Sequence, residues 1–340
     1  MKHSKRIISM IFLCIGVVIL SAAPKSYKNT DIYDVVVIGS GIAGLTAGMQ
    51  AARAQLKTLV IEGPFAGGSL ISVPKITNWP GELEITGYQL IQKLHDHAAH
   101  FGCSFLEETI KKVALSKQPF IITTKNDTSI QTRSIIIATG AQPKRLKIPG
   151  ENEYWGKGIA VCSRCDGPLF YGKNVAVIGS GNTAMHEAIN MLKFTNKITL
   201  IVPGATLVGS EKMRKRVMEN SKITILYNTI VQKIQGDSDV VTHLMLKDKT
   251  TGIQSEFPVE GVFVAIGMHP SSDIFKEQLL CDNKGYILVT DKTNTSKEGV
   301  FACGVVCDSC YQQAASCAGT GCMAAVDAER YLNKLSSSIA

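Results

Sequence analysis

Two glycine-rich turns of the same kind, each set between a short apolar strand and an alanine-rich helix, constrain this chain more than anything else in it. Tyr33-Asp34-Val35-Val36-Val37-Ile38 ends at Gly39-Ser40-Gly41-Ile42-Ala43-Gly44, and Leu45 to Ala54 follows with helical periodicity. A β-branched run with little polar alternation predicts a buried parallel strand. Thr58-Leu59-Val60-Ile61-Glu62 is the next strand, so the first unit reads β-turn-α-β. Glu62 stands 18 residues beyond Gly44, where a carboxylate can accept hydrogen bonds from ribose hydroxyls. The glycines let a pyrophosphate approach the backbone and rest on the positive end of the helix. Gly39, Gly41, Gly44 and Glu62 are therefore expected to hold a dinucleotide.

The unit recurs. Asn174-Val175-Ala176-Val177-Ile178 leads into Gly179-Ser180-Gly181-Asn182-Thr183-Ala184, then a helix from His186 onward and a strand at Lys197 to Val202. Gly179, Gly181 and Ala184 are candidates for a second dinucleotide. A flavin and a nicotinamide are the usual reason for two such sites in one chain; one live site beside a relic is the alternative. Ser134 to Ala141 closes the first unit and adds Ala138 and Gly140 as candidates, while Gly261 to Gly267 closes the second. Gly299 to Gly304 opens a terminal segment that runs into an alanine-rich helix through Gly319 to Tyr331. Entered through Gly319-Thr320-Gly321, that helix is expected to point its positive end at the flavin ring region. The fold class is α/β, with two Rossmann-like three-layer nucleotide-binding domains, the second inserted into the first. Residues 31–143 and 272–340 read as the FAD-binding domain and 144–271 as the nicotinamide-binding domain. The crossings fall near Gln142 to Lys147 and Pro270 to Ser272.

Between the two fingerprints lies Cys162-Ser163-Arg164-Cys165-Asp166-Gly167. Cysteines at this spacing can close into a small disulfide ring and reopen. The thiolate is the active species, and Arg164 between the two should favour it. A partly desolvated carboxylate at Asp166 can relay protons. A zinc half-site competes, but it needs two more soft ligands, which only Cys307 and Cys310 could supply. With a nucleotide site on either side, the pair reads as a relay from nicotinamide to flavin to disulfide to an external partner.

Composition narrows the alternatives. A length of 340 residues predicts roughly two domains of about 150. The ten cysteines cluster instead of spreading as a secreted disulfide framework, and Cys103 and Cys281 read as inert thiols. A net charge of +8 is modest, and the densest basic run, Lys212, Arg214, Lys215 and Arg216, lacks interleaved aromatics. No nucleic-acid partner is expected, and no metal: His95, His97 and His100 lack an i, i+4 pair and read as exposed helix residues. Residues 1–30 form a leader, basic from Met1 to Arg6 and uncharged from Ile7 to Ala23. It reads as a signal peptide or as a membrane anchor through residues 7–23, against the alternative of an untranslocated extension.

From about Tyr33 to Leu335 the chain resembles a low-molecular-weight thioredoxin reductase, a class II pyridine nucleotide-disulfide oxidoreductase. The residues that carry the likeness are Cys162 to Gly167, Ile148 to Gly158, Asn78-Trp79-Pro80-Gly81, and Ala318-Gly319-Thr320-Gly321-Cys322-Met323-Ala324-Ala325. The resemblance implies FAD and NADPH as cofactors, with NADH as the other donor, and thioredoxin or a thioredoxin-like protein as partner. It implies Cys165 as the thiol nearest the flavin, Cys162 as the interchange thiol and Asp166 as the acid/base. It further implies FAD contacts from Gly304, Gln313 and Ala314, a homodimer, and a nicotinamide domain that turns so the dithiol alternates between flavin and partner. The leader points to an exported or anchored protein and the resemblance to the cytoplasm, so localisation stays open.

Three departures stand out. Where the family grips the adenosine 2′-phosphate with His-Arg-Arg, this chain has Val202-Pro203-Gly204-Ala205, with Lys212, Arg214 or Arg216 as the cations that could compensate. Where the family places an aspartate on the flavin ribityl chain, Val305 follows Gly304. One lost charge-assisted hydrogen bond of roughly 1.5–3 kcal/mol weakens binding by about one or two orders of magnitude. Gln312-Gln313-Ala314 also stands for Arg-Gln-Ala, and Cys307-Asp308-Ser309-Cys310 in this region is either a second redox pair, a regulatory disulfide, or two loop thiols. Three functions follow: thioredoxin-disulfide reductase first, then an FAD-dependent dithiol oxidase passing electrons to oxygen, then a non-enzymatic redox sensor.

Overall fold

The computed structural model describes residues 32–337 apart from Pro64, Phe65 and Asn196. The leader at 1–30, and every reading of export or anchoring that rests on it, lies outside these. No helix among the described residues is long and apolar enough to cross a membrane.

The chain begins with β1 (Ile32–Ile38), α1 (Ile42–Arg53), β2 (Thr58–Ile61), α2 (Gly87–His100) and β3 (Ser104–Leu106). An antiparallel pair follows, β4 (Ile110–Ala114) and β5 (Phe120–Thr124), then the long β6 (Ser129–Ile137). These strands lie in the order β3-β2-β1-β6-β5-β4, with β1, β2, β3 and β6 parallel. Alternation on β1 explains the layering. Val35 and Val37 face a core shared with α1 and α2, whereas Val36 and Ile38 face one shared with Val113, Leu115, Phe120 and Ile122. The strand is buried on both faces, which is why it reads as a continuous apolar run.

After β7 (Ala141–Pro143) the chain enters a second sheet. It comprises β8 (Ile159–Ala160), α3 (Ser163–Asp166), β9 (Val175–Ile178), α4 (Asn182–Met191), β10 (Ile198–Ile201), α5 (Glu211–Met218) and β11 (Ile223–Leu226). An antiparallel sheet of β12 (Thr229–Gly236), β13 (Val241–Asp248) and β14 (Gln254–Pro258) precedes β15 (Gly261–Val264). The parallel order is β11-β10-β9-β15-β8. Val175 and Val177 pack toward α4 and α5, while Ala176 and Ile178 pack toward β12 and β13. In each unit the third layer is thus antiparallel β-structure, not a second set of helices.

The return passes through β16 (Met268–Pro270), which pairs antiparallel with β7, Pro270 opposite Ala141 and Met268 opposite Pro143. The two crossing segments therefore form one two-stranded ribbon. The chain then adds β17 (Val300–Ala302) beside the end of β6, parallel to it, and finishes in α6 (Ala314–Ser337). The terminal helix starts before the glycines that were expected to open it. Gly319 and Gly321 lie inside α6, and a Cβ on Gly321 would stand 2.3 Å from the Ala43 carbonyl oxygen. Gly321 serves close packing of α6 on α1.

Candidate active site

The first glycine turn is built for an anion. Gly39, with φ +107°, lies so close to the end of β6 that a Cβ there would meet the Ala138 carbonyl oxygen at 2.5 Å. A Cβ on Gly44 would be 1.8 Å from the Gly39 carbonyl oxygen, so helix and turn can meet only without one. Above Gly41 there is open space within 4 Å, and α1 starts with no side-chain cap. Its first amides are thus left for a ligand. Glu62 ends β2 beside Ser40; burial, opposed by His95, raises its carboxyl above the ordinary range. Gly140 stands at φ +69° after β6, and Gly304 at φ +72° after β17. Gln313 reaches the aromatic loop through a 3.3 Å bond from the Asn78 amide, and Ala314 opens α6. This cradle fits the pyrophosphate and adenosine of FAD.

The second turn repeats the design. A Cβ on Gly179 would meet the Ala265 carbonyl oxygen at 2.6 Å and the Ala184 side chain at 2.9 Å, and Gly181 leaves α4 without a side-chain cap. A nicotinamide dinucleotide's pyrophosphate fits there. At the end of β10 the segment Val202 to Ala205 carries no cation of its own. Lys249, just beyond β13, donates from Nζ to the Pro203 carbonyl at 3.0 Å, a cation that only the folded hairpin brings to this place. Of the three cations expected to compensate, Lys212 and Arg216 are exposed on α5, and Arg214 has a buried Nε without a hydrogen-bond partner.

The dithiol sits at the end of the edge strand β8. Cys162 and Cys165 form a disulfide with Cα atoms 5.3 Å apart. Cys162 caps α3, its sulfur accepting from the Cys165 amide at 3.2 Å, a contact that favours negative charge on that sulfur. The turn is fastened from below. Phe170 is buried edge-on against Phe263 of β15, and Gly167 leaves room for the Phe194 ring, which a Cβ would approach to 2.4 Å. Arg164 is exposed. Asp166 lies partly buried beside the pair, and its carboxyl is pushed up to about 6, first by desolvation and then by Glu187. Glu187, on α4, also accepts from the Ser163 amide at 2.5 Å. Nothing in the sequence marked it, because it meets the dithiol only through the packing of α3 on α4.

The other cysteines behave differently. Cys307 and Cys310 are free, Cys307 donates to the Gly304 carbonyl at 3.4 Å, and burial pushes its thiol to about 12. Burial likewise raises Cys317 to about 11, Cys103 to about 12 and Cys303 well above its usual value. Asp308 holds the intervening turn by accepting from the amides of Cys310, Tyr311 and Gln312. No group of His, Cys, Asp or Glu among the described residues could hold a metal ion. His97 and His100 are exposed, but His95 is half-buried and stacks on Phe105 with centroids 4.0 Å apart.

Residues 33–321 match the pyridine nucleotide-disulphide oxidoreductase family. The thioredoxin reductase of Dictyostelium discoideum is 41% identical over 319 residues, spanning 91% of this chain and all of the relative. The solved thioredoxin reductase of Giardia duodenalis overlays with a TM-score of 0.85 at 36% identity, covering 88% of this chain and 99% of its own. The Lactococcus lactis thioredoxin reductase in its FR conformation, at 32% identity and covering 89% and 99%, overlays at 0.62. The chain belongs to the pyridine nucleotide-disulphide oxidoreductase family, among the thioredoxin reductases.

Proposed function

We propose that this chain is a thioredoxin-disulfide reductase that passes electrons from NAD(P)H through FAD and the Cys162–Cys165 disulfide to thioredoxin or a thioredoxin-like protein. The observation that carries the reading is the closed disulfide beside a half-buried carboxyl, on a sheet whose glycine turn is shaped for a dinucleotide. FAD supplies two-electron transfer between nicotinamide and disulfide; Gly39, Gly41, Gly44, Glu62, Ala138, Gly140, Gly304, Gln313 and Ala314 hold it. Gly179, Gly181 and Ala184 hold the nicotinamide dinucleotide. The domain division runs at 31–143 and 272–340 around 144–271, with β7 and β16 as the paired crossings.

Opening the Cys162–Cys165 bond takes two electrons and two protons, and Asp166 hands one proton to a departing sulfur. The Cys162 thiol gives its proton back to Asp166, and the resulting thiolate attacks the partner's disulfide. A mixed disulfide forms and one partner sulfur leaves as thiolate and takes a proton. Cys165 attacks Cys162, the partner departs as a dithiol, and the Cys162–Cys165 bond closes again. Cys162 is half-buried and Cys165 exposed in this arrangement, and the proposed turn of the dithiol unit would carry Cys162 to the partner.

The test is nicotinamide consumption by the full chain with oxidised thioredoxin present or absent. Thioredoxin-dependent consumption that Cys162→Ser and Cys165→Ser each abolish is the expected result. Undiminished consumption in either variant overturns the assignment.

A further inference from the structure

Beyond Cys162, Cys165 and Asp166, a fourth group touches the dithiol turn from another helix. Ser163, between the two cysteines, is fully buried, so its amide has no water to bond. The Glu187 Oε2 accepts from that amide at 2.5 Å. The same carboxylate is the charge that acts on Asp166 across the gap between α4 and α3. A hydrogen bond with the Cys162 backbone opposes the effect, and the Cys162 and Cys165 sulfurs are joined in the disulfide. Arg164 on α3 and His186 beside Glu187 on α4 are both exposed.

We propose that Glu187 is a positioning residue of the dithiol, fixing the start of α3 against α4 through the Ser163 amide and bringing a second carboxylate to the turn that carries Asp166. The two tasks are separable. The hydrogen bond to Ser163 holds Cys162 at the helix cap, where its sulfur faces the Cys165 amide. The charge discourages a second anion at Asp166, so that its carboxyl exchanges a proton closer to neutrality than an ordinary carboxylate does. A carboxylate placed as a neighbour, and not as the proton carrier, lets one residue exchange the proton while another sets how readily it is given up. This inference rests on the dithiol's proposed role in disulfide reduction.

Two variants of the full chain, kept oxidised so that neither active-site thiol titrates, separate the tasks. Glu187→Gln keeps an oxygen acceptor and removes the charge; Glu187→Asp keeps the charge and withdraws the acceptor by one methylene. Infrared titration of the protonated carboxyl band, assigned by difference with Asp166→Asn, reads the first task. Hydrogen exchange at the Ser163 amide reads the second. The native midpoint is expected at about 6. In Glu187→Gln it falls toward the ordinary carboxylate range, with Ser163 exchange near native. In Glu187→Asp the midpoint stays raised, and Ser163 exchanges at least about tenfold faster. An unmoved midpoint in Glu187→Gln, or native Ser163 exchange in Glu187→Asp, overturns the proposal. Neither readout uses turnover, so failure to reduce thioredoxin would remove the proposed function and leave both results standing.

Discussion

Asp166, the proposed proton carrier, also bears a stability cost, and its replacement should move activity and stability in opposite directions. Its carboxyl is raised from 3.8 to about 6, so the native state holds its proton more tightly than the unfolded chain does. A group raised in this way adds stability below its unfolded value, and loses it as pH climbs through the folded value. Asp166→Asn lacks that loss. The variant should therefore be more stable than the native chain at pH 7, by an amount of order 3 kcal/mol, and no more stable below about pH 4. Denaturant melts at the two pH values check this. Thioredoxin reduction by the same variant should drop by about 10²–10⁴, the usual share of a general acid or base. The dithiol and Asp166 are legible in the sequence because they are contiguous. Glu187 is not, since only the α3–α4 packing brings it to Ser163, and Lys249 escapes notice because a hairpin delivers it to Pro203.

At the scale of elements, the glycine turns make a backbone prediction. Gly44→Ala sets a methyl against the Gly39 carbonyl, and neither backbone can yield. It should cost about 1–3 kcal/mol or more and release flavin, measured as the flavin-to-protein absorbance ratio after gel filtration. Retained flavin at native stability would contradict the cradle. Gly167→Ala instead displaces the Phe194 ring beneath the dithiol turn. It should lower thioredoxin reduction while the flavin ratio stays native. The strands and helices nearest the fingerprints were legible, because a buried parallel strand followed by glycines and alanines has few other uses. The antiparallel third layers were not. β12 and β13 alternate between the buried Val231, Leu244 and Leu246 and less buried neighbours, a short-period pattern that carries no motif. Nor did the sequence show where α6 begins: Gly319 and Gly321 look like a helix entrance, whereas Gly321 is spent on contact with Ala43.

For the whole molecule, the insertion of one unit into the other was readable from the order of the glycine motifs, but the pairing of its two crossings was not. β7 and β16 lie far apart in sequence and join only because the chain leaves and returns side by side. The electron supply is the part most altered from the family pattern. Val202 to Ala205 at the end of β10 carry no guanidinium to fork around a 2′-phosphate, and Lys249, held at the Pro203 carbonyl, offers a point charge instead. Discrimination between NADPH and NADH should stay within about tenfold in kcat/KM, less than one well-made charge-assisted contact would give. A preference above a hundredfold would contradict this reading of the site.

Anaerobic bleaching of the bound flavin in the full chain, followed separately with NADPH, NADH and dithiothreitol, reads the electron path itself. Bleaching by a nicotinamide is expected, with its reversal on adding oxidised thioredoxin. Bleaching by dithiothreitol alone, with peroxide formed on admitting air, would contradict it and mark the chain as a dithiol oxidase.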